Sequence, residues 1–235
     1  MSQKPRVGLL PLYLELYDSI SPERRGDFTG LLQMVCAGFE ERGVEVVEAG
    51  ICTLHPEFSR AVKVFEETDV DLIVTLHLAY SPSLESVRSL SATSIPLLIL
   101  DTTMDYAFGK DVDASRIMHN HGIHGVQDLA CMLRRQEAPY RIVAGHVSES
   151  DVLHRAAEIA RAARSARSLD GMRTLRIGNA FEGMGDFSVE DRVLRDRLGI
   201  TVDQVEMAEL IRYANAVSDA DLRACDGGYH GVAAA

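Results

Sequence analysis

The sequence predicts an α/β fold on a doubly wound parallel sheet. Three observations point to it. Short β-rich runs alternate with segments of helical periodicity along most of the 235 residues. Two of the runs, Leu72 to Leu76 and Pro96 to Leu100, are almost continuously apolar, as strands covered on both faces are. Each predicted strand is also followed by a helix, the connection that parallel neighbours require.

Arg6 to Leu12 reads as the first strand. Asp27 is placed to cap a helix whose apolar face is Phe28, Leu31, Leu32, Val35 and Phe39, and Gly43 can end it in the left-handed conformation. Val44 to Ala49 is the second strand. Pro56 opens a helix with Phe58, Ala61, Val62 and Phe65 on one face. The Leu72 strand follows, then a short helix after Pro82, then the Pro96 strand. Val126, Leu129, Ala130 and Leu133 mark a further helix, Tyr140 to Ala144 a fifth strand, and Asp151 to Ser168 a long helix. Five strands in this arrangement predict a flavodoxin-like, Rossmann-like unit over residues 1–170. A second α/β unit, 171–235, begins with a strand at Thr174 to Gly178. It continues through a helix at Val189 to Leu198, a strand at Thr201 to Val205 and a helix at Glu209 to Val217. Two βα units are too few for a covered parallel sheet, so this domain reads as partial. The glycine-rich end, Asp226 to Gly231, is expected to be disordered.

Composition narrows the function classes. Hydrophobic residues at 46% and charged residues at 25% give a globular balance with material for a core. No run approaches the ~20 apolar residues that span a bilayer, and the start lacks a signal-peptide core. A net charge of −11 disfavours nucleic acid as a partner. Cys36, Cys52, Cys131 and Cys225 form no C-x-x-C pair, which fits a reducing, cytoplasmic setting. No phosphate-cradling G-x-G-x-x-G between strand and helix, no G-K-[ST] and no G-x-S-x-G elbow occurs.

Ligands of open parallel sheets gather beyond the carboxyl ends of the strands. Tyr13, His77, Asp101, Thr102, Thr103, Gly145 and His146 fall there, although strand-end polar residues also cap helices or bind loops. The most informative stretch is Met118-His119-Asn120-His121-Gly122-Ile123-His124-Gly125. Imidazoles both donate and accept hydrogen bonds near neutral pH, which suits hydroxyl-rich ligands, and glycine admits close backbone approach. Two other readings stand beside this one: a helix cap with incidental surface histidines, and a metal site built from His119, His121 and His124. A second stretch, Phe181 to Phe187, is either a ligand-facing loop or a turn whose Ser188 caps the next helix.

Taken in order, four segments resemble the amino-terminal half of the L-arabinose isomerase and L-fucose isomerase superfamily, the arabinose isomerase-like branch in particular. They are Gly8 to Tyr13; Thr75-Leu76-His77 with Tyr80-Ser81-Pro82 and Pro96 to Leu98; Asn120 to Gly125 continuing to Arg141 to His146; and Gly183 to Phe187 continuing to Ala216 to Asp221. The resemblance runs from residue 6 to about residue 222. It implies an aldose–ketose isomerase that shuttles a proton through an enediol with a divalent metal such as Mn2+. It further implies that the metal ligands and acid/base glutamates lie later in the family's chain. This chain alone is therefore expected to bind no metal, to carry no catalytic residue and to be inactive by itself. What it would contribute is substrate contact. His124 matches the histidine that reaches sugar in a neighbouring subunit's site, and His121, beside Asn120, a nearby polar contact. Leu12 and Tyr13 match the first-strand contact loop, and Met184 a contact in the second domain. A small-molecule sugar as ligand and a homo-oligomer follow from the same resemblance. The other class of function held open is a non-catalytic sugar-binding or regulatory α/β module.

Overall fold

The computed structural model describes residues 4–225. The chain divides into two compact units, 1–167 and 168–235, each taken by itself below. The first is a five-stranded, all-parallel sheet in the order β2-β1-β3-β4-β5. Its strands are β1 (Arg6–Leu12), β2 (Glu45–Glu48), β3 (Leu72–His77), β4 (Leu97–Asp101) and β5 (Tyr140–Ala144). Helices cover both faces of this parallel sheet, as the doubly wound expectation requires. α2 (Thr29–Glu40) and α6 (Val152–Leu169) pack on one face, where Leu31, Val35, Phe39, Val152 and Ala156 meet Val7, Leu9, Val74 and Leu98. α3 (His55–Glu67), α4 (Ser83–Ala92) and α5 (Gly122–Arg135) cover the other, where Phe58, Phe65, Leu90, Val126 and Leu129 meet Leu10, Leu12, Ile73 and Ile99. The two clusters split odd from even positions of β1, the period-two alternation of a strand with core on both sides. All six residues of β3 are buried, which is why its sequence is so continuously apolar.

The chain leaves β1 differently from the expected course. A six-residue helix, α1 (Glu15–Ile20), and a 3-10 helix over Pro22–Phe28 precede α2. Asp27 does not cap α2. The preceding residue of that helix is Phe28, whose φ of −83° and ψ of −7° continue the helical path instead of the extended geometry a capping side chain needs. The Asp27 carboxylate points elsewhere and meets His119 at 2.9 Å. Gly43 does take the left-handed conformation, φ 75°, just after α2.

β4 and α5 are joined by residues 102–121, a long crossover at the carboxyl edge of the sheet. Asp105 holds it in shape. Its carboxylate takes a bidentate pair from Arg116 at 2.9 and 2.8 Å and a bond from the Asn120 amide at 2.6 Å. The Asn120 carbonyl oxygen in turn accepts from the Asp105 backbone N–H at 2.9 Å.

The second unit is a two-stranded parallel sheet, β6 (Arg173–Ile177) with β7 (Thr201–Val205), plus α7 (Asp191–Leu198), α8 (Met207–Ala216) and α9 (Asp219–Cys225). α7 starts after Glu190, so Ser188 is not its cap. No described side chain of this unit is buried, and Leu175, Ile177, Leu198 and Ile211 are exposed. Two strands leave the sheet faces uncovered, and the unit is held by polar cross-links: Arg176 to Asp191 at 2.9 Å and to Gln204 at 2.7 Å, and Arg173 to Asp203 at 2.7 Å. The Asp226 to Gly231 stretch expected to be disordered lies outside the described residues. No helix among those described is long and apolar enough to cross a membrane.

Candidate functional site

The sheet's carboxyl edge gathers an aromatic and imidazole surface around the start of α5. This helix begins at Gly122, earlier than its apolar periodicity suggests. His121 is its N-cap residue and His124 sits in its first turn, so the histidines do not lie in an open loop. Both glycines serve packing. A Cβ on Gly122 would lie 2.5 Å from the carbonyl oxygen of His77, and one on Gly125 would lie 2.5 Å from His77 Cδ2. The expected close approach of backbone is therefore to the end of β3.

Tyr17, from α1, reaches this surface. Its hydroxyl lies 3.0 Å from Nε2 of His121, and the two rings are 6.0 Å apart. The His121 and His124 rings follow at 6.1 Å. His124 is exposed, and its Nδ1 lies 3.2 Å from the His121 carbonyl oxygen. Behind Tyr17 stand Tyr13 and Phe28, edge-on at 5.5 and 5.6 Å. Beside Phe28, at 5.5 Å, lies the His119 ring, whose Nε2 is engaged by Asp27. Burial pushes the Tyr17 phenol above its usual pKa, so it stays a neutral hydroxyl. Burial lowers the pKa of His121, only partly offset by the carbonyls of Ile117 and Met118, so it is neutral at neutral pH.

The anticipated contact residues take different places. His121 and His124 come together on the surface. Asn120 does not join them, because its amide is spent on Asp105 and on the Arg116 carbonyl. Leu12 and Tyr13, expected as a contact loop, are core residues at 0% and 1% exposure. The backbone explains it: Tyr13 N–H donates to the Cys52 carbonyl and Leu78 N–H to the Leu12 carbonyl, both at 3.0 Å, so the chain after β1 is stitched on both sides and turned inward. Met184 belongs to the second unit, exposed in the turn between β6 and α7. Of the strand-end residues, His77 and Thr102 are buried and His146 packs against Tyr106 at 5.6 Å. Tyr17, Phe28 and Asp27 join the surface from outside the histidine stretch that the sequence singles out; Asp27 does so by engaging His119. The signal for Tyr17 is weak, since nothing local separates it from Tyr13.

The donor set does not fit a metal centre. Among the described residues no group of three or more His, Cys, Asp or Glu side chains is placed to hold an ion. His119 and His121 each have one ring nitrogen committed, to Asp27 and to Tyr17. The divalent metal implied by resemblance therefore has no ligand set in these residues, and no chemical step is assigned through it. What the surface can do is exchange hydrogen bonds with a polar ligand lying across aromatic rings.

Comparison with known proteins gives this arrangement a family. The family model for the L-arabinose isomerase N-terminal domain matches residues 38–171, more than half of the chain, with β2 to β5 and the histidine segment inside the match. An L-arabinose isomerase of Mycolicibacterium smegmatis is 29% identical over 157 residues, covering 65% of this chain and 30% of the relative. One of Herpetosiphon aurantiacus is 25% identical over 154 residues, covering 65% and 30%. One of Bacteroides thetaiotaomicron is 24% identical over 193 residues, covering 80% and 38%. The chain thus spans about a third of the length of the curated relatives it matches. It belongs to the L-arabinose isomerase N-terminal domain family.

Proposed function

We propose that this chain is the amino-terminal, substrate-contacting portion of a cytoplasmic, metal-dependent aldose–ketose isomerase that acts on L-arabinose or a closely similar sugar. In this reading a proton moves between adjacent carbons of the open-chain sugar through an enediol. The carboxylates that move it and the Mn2+ that polarises the sugar oxygens belong to parts of the parent outside the described residues. This portion orients the substrate. His124 offers a ring nitrogen to a sugar hydroxyl, His121 steadies it, and the site they serve lies in a neighbouring copy within a homo-oligomer; Met184 is a candidate contact of the second unit, taken by itself. The single observation that carries the reading is the exposed His124 ring at the head of α5, with Nδ1 engaged by the His121 carbonyl and no bond to Nε2 among the described residues. Such a placement suits contact with something outside the unit better than packing. The free thiols of Cys36, Cys52 and Cys131 are in keeping with a reducing compartment.

The test is calorimetric titration of the chain with L-arabinose and L-fucose, with and without Mn2+, beside a turnover assay and light scattering. Expected are no turnover, self-association, and weak arabinose binding that His124→Ala abolishes. Robust turnover by this polypeptide alone would contradict the division of labour. Micromolar, metal-independent sugar binding without any isomerase activity in the full-length parent would favour the non-catalytic sugar-binding module.

A further inference from the structure

β2 is an outer strand of the first unit's sheet, and the chain that leaves it does not keep step with β1. The Ala49 N–H donates to the Leu9 carbonyl at 2.9 Å, and the Cys52 N–H to the Pro11 carbonyl at 3.0 Å. Three steps along one chain thus match two along the other, and the surplus forms a bulge at Gly50 and Ile51. The N–H groups of these two successive residues have no acceptor among the described residues. Adjacent free amides of this kind make an anion-binding concavity.

The bulge is one wall of a cleft of about 390 Å³, within the ~300–1,000 Å³ of small-molecule sites. α3 is the other wall, with Ala61, Val64 and Phe65 as its apolar part. Arg60, on the same helix, also lines the cleft. It is exposed, and its guanidinium makes no hydrogen bond or ion pair among the described residues. Its charge acts on the thiol of Cys52, a further lining residue. The two glutamates of the lining are committed elsewhere. Glu57 Oε2 accepts from the Thr53 N–H at 2.7 Å, the Thr53 hydroxyl at 3.0 Å and the Leu54 N–H at 3.1 Å. Strand alternation places Val47 and Ala49 with the core beneath α3 and turns Glu48 to the opposite face. There its carboxylate accepts from the Cys36 thiol at 3.0 Å. An unpaired cation, two unpaired amides and an apolar wall complement a single negative charge on an apolar body.

We propose that the cleft between the β2 bulge and α3 binds a small aliphatic monocarboxylate. Arg60 and the Gly50 and Ile51 N–H groups take the carboxylate, and the alkyl chain lies on Val64 and Phe65. A guanidinium matches a carboxylate with two parallel bonds. A phosphate dianion fits less well, because Arg60 supplies one positive charge against its two and the Glu57 carboxylate lines the same cleft. This site is independent of the sugar contact assigned to His124.

The experiment is NMR titration of the full 15N-labelled chain with hexanoate at about pH 7.5, where carboxylates are ionised. Hexanol and inorganic phosphate are titrated beside it. Hexanoate at millimolar concentration should shift the Gly50 and Ile51 amides saturably. Hexanol and phosphate should each bind about tenfold more weakly or worse. Arg60→Gln should weaken hexanoate by about tenfold or more, the worth of a charge-assisted bond, and Arg60→Lys should restore part of the loss. Arg60 supports no other described side chain, so both variants should keep the wild-type urea midpoint and the amide positions of β1 and β3. Val64→Gln reads the apolar wall separately: it should weaken hexanoate about threefold and leave acetate unchanged. Absence of a saturable shift at Gly50 and Ile51, or wild-type affinity in Arg60→Gln, would overturn the proposal. Hexanol or phosphate binding as tightly as hexanoate would overturn it as well.

Discussion

His77, at the end of β3, lies directly against Gly125, in the second turn of α5: a Cβ on that glycine would stand 2.5 Å from His77 Cδ2 and 3.1 Å from the Ser81 amide nitrogen. Helix and sheet edge meet here at the closest distance glycine allows. Gly125→Ala would need His77 to move, and His77 is 2% exposed with no free space to enter. Overpacking of this kind costs ~1–3 kcal/mol, against a helix-propensity gain of ~1 kcal/mol. A net loss of up to about 2 kcal/mol is expected in urea unfolding. Gly30→Ala is the control. It lies in α2 with nothing within 4 Å of the added carbon, so it should be neutral or stabilising by up to about 1 kcal/mol.

The same histidine makes stability depend on pH. Burial lowers its pKa from 6.5 to about 4, only partly opposed by the Asp128 carboxylate, and neither ring nitrogen has a partner. The folded state therefore binds fewer protons than the unfolded chain between these values. Its contribution is fully present above pH 6.5 and is lost as pH falls through the folded value near 4. The full excursion is on the order of 3 kcal/mol. Urea midpoints taken from neutral to acid pH should fall more steeply for the wild type than for His77→Asn. Parallel curves would show that His77 is not the buried neutral group described.

The limits of the sequence are clearest in this same region. β1, β5 and β7 coincide with the runs that predict them because alternation and continuous apolarity are local properties. The apolar positions of α5 begin only at Val126, and Gly122 and Gly125 look like loop residues until His77 is seen behind them, 45 and 48 positions away in the chain. α1 has no buried residue, with Leu16 and Ile20 at 57% and 69% exposure, so it shows no apolar stripe to read. Tyr17 meets His121 across 104 residues of separation, a contact that only the completed sheet creates. Asp27 has a capping residue's identity but not its backbone, and its true partner, His119, is 92 residues distant.

Asn120 separates scaffold from contact. All the polar capacity it uses goes to Asp105 and to the Arg116 carbonyl, at 2.9, 2.6 and 3.0 Å. The Arg116 guanidinium, and next the Asn120 amide, hold the Asp105 carboxyl below its usual pKa. Removing the amide by Asn120→Ala takes away the acceptor of the Asp105 N–H and the donor to the Arg116 carbonyl, while Asp105 Oδ2 keeps only its bond from Arg116 Nε. A loss of about 1–2 kcal/mol is expected, confined to the crossover. Amide exchange across residues 102–121 should quicken while β1 and β3 keep their protection. Uniform acceleration through the sheet would mean that the crossover is integral to the core.

Thiol reactivity gives the last test, because the three described cysteine side chains sit in different surroundings. Burial, together with the Glu48 carboxylate 3.0 Å from its sulfur, pushes Cys36 up to about 12. Burial pushes Cys52 to about 11. Cys131 is exposed on α5. Alkylating reagents attack the thiolate, so raising the pKa and closing access act together. In native protein at about neutral pH, iodoacetamide should modify Cys131 faster than Cys36 or Cys52 by ~100-fold, as peptide mass spectrometry can resolve. Glu48→Gln removes the facing charge and should speed Cys36 without changing Cys52. Equal labelling of Cys36 and Cys131 in the native state would mean that the α2–β2 contact opens on the timescale of the reaction.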